Sequence, residues 1–246
     1  MADKPQPRVL GVTLARGGSK GVPRKNIRLL AGIPLVAYSI AEARRSRYIQ
    51  RYIVSTDDPE IQKVAIQYGA EAPFLRPADL ASDKTPSLPA LQHAVAWAEK
   101  DEGMEYNYIA DLGCTNPMKL AEDIDGAIEK LIATGAESVI GVNQIEDHHP
   151  ARVKKIVNDR IVNFCMAEPH IPRQDIRPKA YIRNGAIYAM RRDVLMIQGA
   201  RYDTPDSRPY IMPLERSVNV DTIVDFYLAE ILLTQNPRTY IKPVHD

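Results

Sequence analysis

The chain has few cysteines and no long hydrophobic run. Its two cysteines, Cys114 and Cys165, are too few and too far apart to indicate a disulfide framework or a cysteine-ligated metal site. The first residues lack the apolar core of a signal peptide, and no apolar run approaches the length that crosses a membrane. These absences favour a cytoplasmic protein without a membrane partner.

Net charge is also nearly absent. The 246 residues include 32 basic and 31 acidic side chains, which give a formal net charge of +1. A protein that coats nucleic acid or a membrane surface usually carries a large positive excess, so we expect neither partner. The length and the hydrophobic content of 45% suit one large globular domain.

Short apolar runs alternate with helix-like patterns along the first part of the chain. The predicted strands cover residues 9–14, 52–55, 108–112 and 138–142, and the predicted helices cover residues 35–45, 60–68, 86–100 and 122–134. This βαβαβα order predicts an α/β fold, a Rossmann-like three-layer domain with a mainly parallel sheet. Ligands of such sheets bind at the carboxyl ends of the strands.

Residues 148–182 interrupt this alternation. They contain several prolines and a strand-like run at 160–164, but no long helix. A strand at 185–190 and a last helix at 224–235 follow. We therefore predict a single domain, residues 1–246, in which 148–182 form an inserted arm. The neighbouring His148 and His149 point in opposite directions if extended and have no third ligand nearby, which favours packing over metal binding.

The segment after the first strand contains three glycines and four cationic side chains. It spans residues 15–26, Ala-Arg-Gly-Gly-Ser-Lys-Gly-Val-Pro-Arg-Lys-Asn, and no acidic residue occurs between Asp3 and Glu42. Glycines let backbone amides approach a ligand closely, and clustered cations attract a polyphosphate. The P-loop pattern and the G-x-G-x-x-G fingerprint are both absent. The segment predicts another type of phosphate-binding loop, with a solvated basic turn as the alternative.

Seven segments of the chain share their order and pattern with one enzyme family. They are residues 15–26, 53–57, 75–83, 147–150, 172–174, 184–188 and 220–222. On these segments the chain resembles the CMP-sialic acid synthetases (acylneuraminate cytidylyltransferases) and, more distantly, the CMP-Kdo synthetases. The resemblance implies transfer of CMP from CTP to the anomeric 2-hydroxyl of a nine- or eight-carbon 2-keto-3-deoxy sugar acid. It also implies Mg²⁺ as cofactor, pyrophosphate as product and a homodimer formed with the help of the arm.

The resemblance further implies which residues bind the nucleotide. They are Arg16, Gly17, Gly18, Ser19, Lys20, Lys25, Asn26 and Ser87. Nucleotidyl transfer depends mainly on positioning and on neutralising the leaving pyrophosphate, which gives the loop cations a catalytic role, above all Arg16 and Lys20. A helix cap is the alternative role for Asn26.

Asn219 and Asp221 form the candidate metal site. On a strand end they would face the same way, since alternate residues share one face. The family usually has two aspartates here, and Asn219 keeps a carbonyl oxygen as a possible ligand. We expect Asp221 to be catalytic, as an Mg²⁺ ligand or general base. Capping of the last helix by Asp221 or Thr222 is the alternative.

The resemblance implies that Gly113, Arg173, Gln174 and Tyr188 bind the sugar acid. Arg173 is expected on the carboxylate, because arginine binds carboxylates bidentately, although an ordinary surface arginine is the alternative. Gly113 stands where the family usually has a glutamine that contacts the sugar. This departure leaves open whether the substrate is a sialic, legionaminic or related acid.

Two other functions stay open. A nucleotidyltransferase that acts on a sugar phosphate needs a second cationic cluster, for which only Arg173 and Arg183 are apparent. A nucleotide-sensing module that lost its chemistry is favoured by Asn219 and Gly113. Turnover with CTP and sugar acids separates these functions.

Overall fold

Ten strands and six helices are present in the computed structural model, which describes residues 7–82, 85–202 and 204–244. The strands are β1 (Val9–Leu14), β2 (Leu29–Leu30), β3 (Ile33–Pro34), β4 (Ile49–Ser55), β5 (Tyr108–Leu112), β6 (Ser138–Ile145), β7 (Lys154–Val157), β8 (Arg160–Asn163), β9 (Ala180–Arg191) and β10 (Ser207–Ile211). The helices are α1 (Leu35–Arg45), α2 (Pro59–Gln67), α3 (Ser87–Glu102), α4 (Ala121–Thr134), α5 (Arg192–Met196) and α6 (Ile223–Gln235). Among these residues, no helix is long and apolar enough to span a membrane.

Six strands form the central sheet in the order β10-β6-β9-β5-β1-β4. Strand β9 runs antiparallel to both of its neighbours, and the other neighbouring pairs are parallel. The predicted α/β fold with a mainly parallel sheet is therefore confirmed. Because β1, β4 and β5 are parallel, the segments that follow them meet at one edge of the sheet.

Helices cover both faces of this sheet. Leu91, Ala94 and Val95 of α3 pack with Leu195 of α5 on one face, and all four side chains are fully buried. Helices α1, α4 and α6 contribute to the core on the other face. Burial of a leucine or valine side chain contributes about 1.5–3 kcal/mol, so this packing stabilises the sheet that carries the site.

Two helix caps identify which polar residues are structural. The Asp58 carboxylate accepts a hydrogen bond of 2.8 Å from the Glu60 amide and begins α2. Thr222 begins α6 and forms a reciprocal capping box with Asp225. Since Thr222 occupies the cap, Asp221 is not the capping residue of α6.

The structure corrects three sequence predictions. Strand β9 begins five residues earlier than predicted and is antiparallel, and its register with β6 shifts between Ile140 and Val142. Strand β10 was not predicted, because its Ser-Arg-Pro-Tyr-Ile sequence does not read as a buried strand. The prediction that residues 219–221 end a strand is wrong, because they have no regular structure.

The segment between β6 and β9 lies outside the central sheet. Its strands β7 and β8 pair only with each other as an antiparallel hairpin. The strand-like run predicted at 160–164 corresponds to β8. Ile156 and Ile161 on this hairpin are both 77% exposed, which is unusual for isoleucine in a stable strand pair.

Candidate active site

A cleft of about 560 Å³ opens at the edge of the sheet where β1 and β5 end. Most of the predicted site residues line it: Arg16, Ser19, Lys20, Lys25, Asn26, Ser87, Gly113, Tyr188, Asn219 and Asp221. We call residues 16–26 with Arg76 and Ser87 the loop side of the cleft. We call Asp111, Gly113, Gly185, Tyr188 and Arg201 the β9 side. The segment 219–221 contacts both sides.

The loop keeps its shape through hydrogen bonds to its own backbone and to the segment after β4. Asn26 is buried, and its side-chain amide donates to the Arg16 carbonyl over 2.8 Å. The Gly17 amide donates to the Asp57 carboxylate over 3.0 Å. Asn26 does not cap the short 3₁₀ helix at Lys25–Ile27, because Arg24 holds that position. The Asn26 side chain instead closes the loop across its ends.

The three loop glycines are not equivalent. A Cβ atom at Gly21 would lie 2.1 Å from the Asp221 carbonyl oxygen, and one at Gly17 would lie 2.6 Å from the Asp58 carboxylate. A Cβ atom at Gly18 would meet nothing within 4 Å. Gly17 and Gly18 are not among the residues that line the cleft. Gly21, which received no site role from the sequence, lets the loop approach the segment 219–221.

Lys25 joins the loop to that segment. Its Nζ atom donates to the Val220 carbonyl over 2.7 Å and to the Asp221 Oδ1 atom over 3.0 Å. The Asn219 amide donates to the other Asp221 oxygen over 2.5 Å. The Asn219 Oδ1 atom is buried and has no hydrogen-bond partner among the described residues. An acceptor buried in this way is costly unless a ligand satisfies it.

The oxygen atoms of Asn219 and Asp221 suit a magnesium ion. Mg²⁺ takes hard oxygen ligands, usually one or two from protein carboxylates and the rest from water and substrate phosphates. A Cβ atom at Gly185 would lie 3.2 Å from Asn219 Oδ1, so a side chain at position 185 would crowd this oxygen. In the described part of the chain, no group of three or more His, Cys, Asp or Glu residues could hold a metal. A metal here would depend on substrate oxygens.

Arg76 lines the loop side and was not assigned a role from the sequence. Its side chain is 5% exposed, and its Nε and one Nη atom have no hydrogen-bond partner among the described residues. Burial lowers the pKa of this guanidinium, and the charge of Asp57, 3.7 Å away, opposes the shift. Arginine stays charged in proteins, so Arg76 favours an anionic ligand. Arg76 lies in residues 75–83, one of the seven segments that resemble the enzyme family, and this position was the sequence signal that could have identified it.

The β9 side contains a buried ion pair that sequence reasoning also missed. Asp111 on β5 lies opposite Tyr188 on β9 in the strand register. The Arg201 guanidinium forms an ion pair with Asp111 and lies 4.3 Å from the centre of the Tyr188 ring. Burial raises the pKa of Asp111, and the positive charge of Arg201 opposes this rise. No motif connects residues 111 and 201, which are brought together by the fold alone.

Gly113 is required by a close backbone approach. A Cβ atom there would lie 1.8 Å from the Gly185 carbonyl oxygen, so no side chain fits without a backbone shift. Below this turn the fully buried Lys119 donates from Nζ to the Gly113 and Asn116 carbonyls and to the Ser39 hydroxyl, each over 2.6–2.7 Å. Burial lowers the pKa of Lys119 to about 8. A glutamine at position 113 is therefore incompatible with this turn as it stands.

Cys114 follows Gly113 in the wall of the cleft. Its side chain is buried, and burial raises the pKa of its thiol to about 12. The nucleophilic form of cysteine is the thiolate, which is scarce at neutral pH for such a pKa. Cys114 therefore lines the cleft without the properties of a nucleophile.

Arg173 and Gln174 lie in the arm and do not line the cleft of their own chain. The Arg173 guanidinium donates to the Asp147 carboxylate over 2.5 Å and lowers its pKa. Of the two histidines predicted to pack, His149 does so and His148 is exposed. The His149 Nδ1 atom accepts from the Ala151 amide, and its Nε2 atom contacts the Pro178 carbonyl. One chain alone therefore does not bring the predicted carboxylate-binding arginine to the remaining site residues.

An α/β sheet with a glycine- and cation-rich loop after its first strand is typical of nucleotide-binding proteins. Comparison with known proteins narrows this class. Residues 10–236 match the model of the cytidylyltransferase family, and the chain belongs to that family.

Individual relatives and solved structures agree. A pseudaminic acid cytidylyltransferase of Campylobacter jejuni strain 81-176 is 31% identical to this chain, and the alignment covers 90% of this chain and 94% of that relative. A CMP-N,N'-diacetyllegionaminic acid synthase of Legionella pneumophila is also 31% identical, and that alignment covers 95% of this chain and 100% of the relative. The solved structure of a CMP:2-keto-3-deoxy-manno-octonic acid synthetase complexed with CTP superposes with a TM-score of 0.68 at 20% sequence identity. The superposition covers 93% of this chain and 99% of that structure. That structure supports the fold.

Proposed function

We propose that this chain transfers CMP from CTP to the anomeric 2-hydroxyl of a nine- or eight-carbon 2-keto-3-deoxy sugar acid and releases pyrophosphate. The observation that carries the proposal is the contact of Lys25 with Asp221, which joins the phosphate-binding loop to a carboxylate in one cleft. Family membership and the relatives named for pseudaminic and legionaminic acids support it.

The loop side receives the nucleotide in this proposal, and the β9 side receives the sugar acid. The sugar hydroxyl attacks the α-phosphorus in line with the departing pyrophosphate, and Arg16, Lys20 and Lys25 neutralise the negative charge of that leaving group. Positioned cations at a leaving phosphate stabilise the transition state more than the ground state. Arg76 adds a further buried cation on the same side.

Asp221 and Asn219 are proposed to hold Mg²⁺ between the two sides. The Val220 amide donates to the Thr115 carbonyl over 2.7 Å, which anchors this segment beside the turn after β5. The bound ion would supply neutralisation of phosphate charge. Asp221→Asn should raise the Mg²⁺ concentration for half-maximal rate, whereas Asp206→Asn, whose carboxylate pairs with Arg208 away from the cleft lining, should not. Equal responses of the two variants would contradict the assignment.

The arm is proposed to form a homodimer and to place Arg173 in the partner's cleft. Exposed Ile156, Ile161 and Phe164 give the arm an apolar surface, and the Arg173 side chain is 56% exposed. Sedimentation should give a dimer. Mixing inactive Lys20→Ala and Arg173→Ala chains should restore up to about a quarter of the activity, because mixed dimers contain one intact site. No recovery from a mixed dimer would contradict a shared site.

A pyrophosphate-release assay tests the function. Wild-type chain is incubated with Mg²⁺, one of the four ribonucleoside triphosphates and a panel that includes sialic, pseudaminic, legionaminic and Kdo acids. We expect release with CTP and at least one acid, together with a CMP-sugar product identified by mass. Binding of CTP without turnover of any acid would instead favour the nucleotide-sensing module.

A further inference from the structure

The β9 side has a polar pair that the proposed reaction does not use. Asp111 is 2% exposed, and the Arg201 side chain is 17% exposed. Both residues line the cleft; Asp111 lies on β5, between β9 and the strand β1 that precedes the loop cations. An ion pair buried to this degree loses much of its hydration, so it is weak evidence for a purely stabilising role.

The hydrogen bonds of this pair are incomplete. The Nε atom of Arg201 is buried and has no hydrogen-bond partner among the described residues. Tyr188 and Tyr202 hold the guanidinium by its face, at 4.3 and 5.4 Å from their ring centres. The donor is thus fixed in place beside the cleft, and leaving it unpaired is costly.

The charge of the pair indicates what it binds. Arg201 and Asp111 together are neutral, so they attract a carboxylate less than an unpaired arginine does. An N–H donor next to a carboxylate acceptor fits a neutral group that both accepts and donates. Hydroxyl and acylamino groups have this property, and sugar acids differ from one another in these substituents.

The turn beside the pair supplies no competing side chain. Gly113 and Gly185 approach too closely for a Cβ atom at position 113. The polar side chains of the β9 side as defined above are therefore those of Asp111, Tyr188 and Arg201.

We propose that Arg201, held by Asp111 and Tyr188, is the specificity-determining residue that recognises one hydroxyl or acylamino substituent of the sugar acid. This inference rests on the proposed function. A site built to hydrogen-bond a substituent discriminates strongly against its absence, because its polar groups are then left unpaired.

The test compares matched sugar acids in which one acylamino group at a time is replaced by hydroxyl or by hydrogen. Wild-type kcat/KM should fall at least about tenfold for loss of the donor–acceptor group at one carbon. The hydroxyl and acylamino compounds identify which of the two groups is preferred.

Arg201→Lys keeps a cation opposite Asp111, so the fold is preserved, but it removes Nε–H. Its discrimination at that carbon should shrink to within about threefold, since one charged hydrogen bond is lost.

The matched control is Arg208→Lys, whose arginine pairs with Asp206 and does not line the cleft. It should keep the wild-type discrimination. The affinity for CTP, measured by calorimetry, should stay unchanged in both variants. An equal loss of kcat/KM for every acid in Arg201→Lys, with discrimination intact, would overturn the inference.

Calorimetry of the acids with a non-hydrolysable CTP analogue separates this inference from the proposed function. Selective binding without turnover, lost in Arg201→Lys, would contradict the transferase function and support the inference. Non-selective binding of the acids with turnover would support the transferase function and contradict the inference.

Discussion

The two sides of the cleft are built in different ways. The loop side comes mostly from one contiguous segment, residues 16–26, whose shape depends on Asn26 and on the close approaches at Gly17 and Gly21. The β9 side is assembled from β5, β9 and the chain after α5, through contacts among Asp111, Tyr188 and Arg201. A contiguous side can carry a nucleotide motif unchanged, whereas an assembled side can change its contacts one residue at a time.

Among the changes considered, removal of Lys25 from the loop side should have the largest effect on kcat. Lys25→Ala deletes the hydrogen bonds to Val220 and Asp221 and one cation at the departing pyrophosphate. Loss of one such stabilising donor costs about 10²–10³ in kcat. Steady-state kinetics with CTP measures the effect, with the exposed Lys63→Ala on α2 as control. A Lys25→Ala enzyme with wild-type kcat would remove Lys25 from the mechanism.

The unequal glycines of the loop provide a second test. Gly21→Ala forces a methyl group to within 2.1 Å of the Asp221 carbonyl, whereas Gly18→Ala meets open space. Overpacking costs about 1–3 kcal/mol, so CTP affinity should fall about tenfold or more in Gly21→Ala only. Calorimetric titration of CTP compares the two variants. Equal affinities would show that the loop does not need its close approach to residue 221.

The free energy of unfolding should depend on Lys119, whose buried side chain supports the turn at Gly113 on the β9 side. Lys119→Met removes the buried donor of the Asn116 carbonyl, whereas the Gly113 carbonyl keeps the Ser39 hydroxyl and the Asn116 amide as donors, and an unpaired buried acceptor costs about 1–3 kcal/mol. Urea unfolding should show a loss of about 2 kcal/mol or more. A variant as stable as the wild type would contradict this role.

The same lysine gives a dependence on pH with a definite sign. Burial lowers the pKa of Lys119 from 10.5 to about 8, so between these values the unfolded chain binds more protons than the folded chain. The free energy of unfolding of the wild type, relative to Lys119→Met, should therefore rise from pH 8 to 10.5. Urea titrations at both pH values measure it. A constant difference between the two proteins would show that Lys119 does not titrate in this range.

The smallest expected effect concerns Tyr188. Tyr188→Leu removes the aromatic face under Arg201, a contact worth about 0.5–2 kcal/mol. The KM for the sugar acid should rise several-fold while the affinity for CTP is unchanged. Tyr210→Leu, outside the cleft, is the control. A change in CTP affinity alone would place Tyr188 on the wrong side of the cleft.

The contrast between the two sides also explains what the sequence could predict. The loop, β1, α1 and the parallel sheet follow from local patterns of apolar, glycine and charged residues, and the structure confirms the fold. Arg201 and Asp111 carry no local signal, because they are 90 positions apart and are brought together by the β5–β9 pairing and the segment that follows α5. The role of Gly113 was hidden for the same reason, since the atom it avoids belongs to Gly185.

The division of the cleft is tested most directly by CTP binding in the absence of sugar acid. Calorimetry should give an affinity at least about tenfold weaker in Lys25→Ala, because one charge-assisted contact to phosphate is lost. The same titration should give an unchanged affinity in Tyr188→Leu. An equal weakening in both variants would contradict a cleft divided into a nucleotide side and a sugar-acid side.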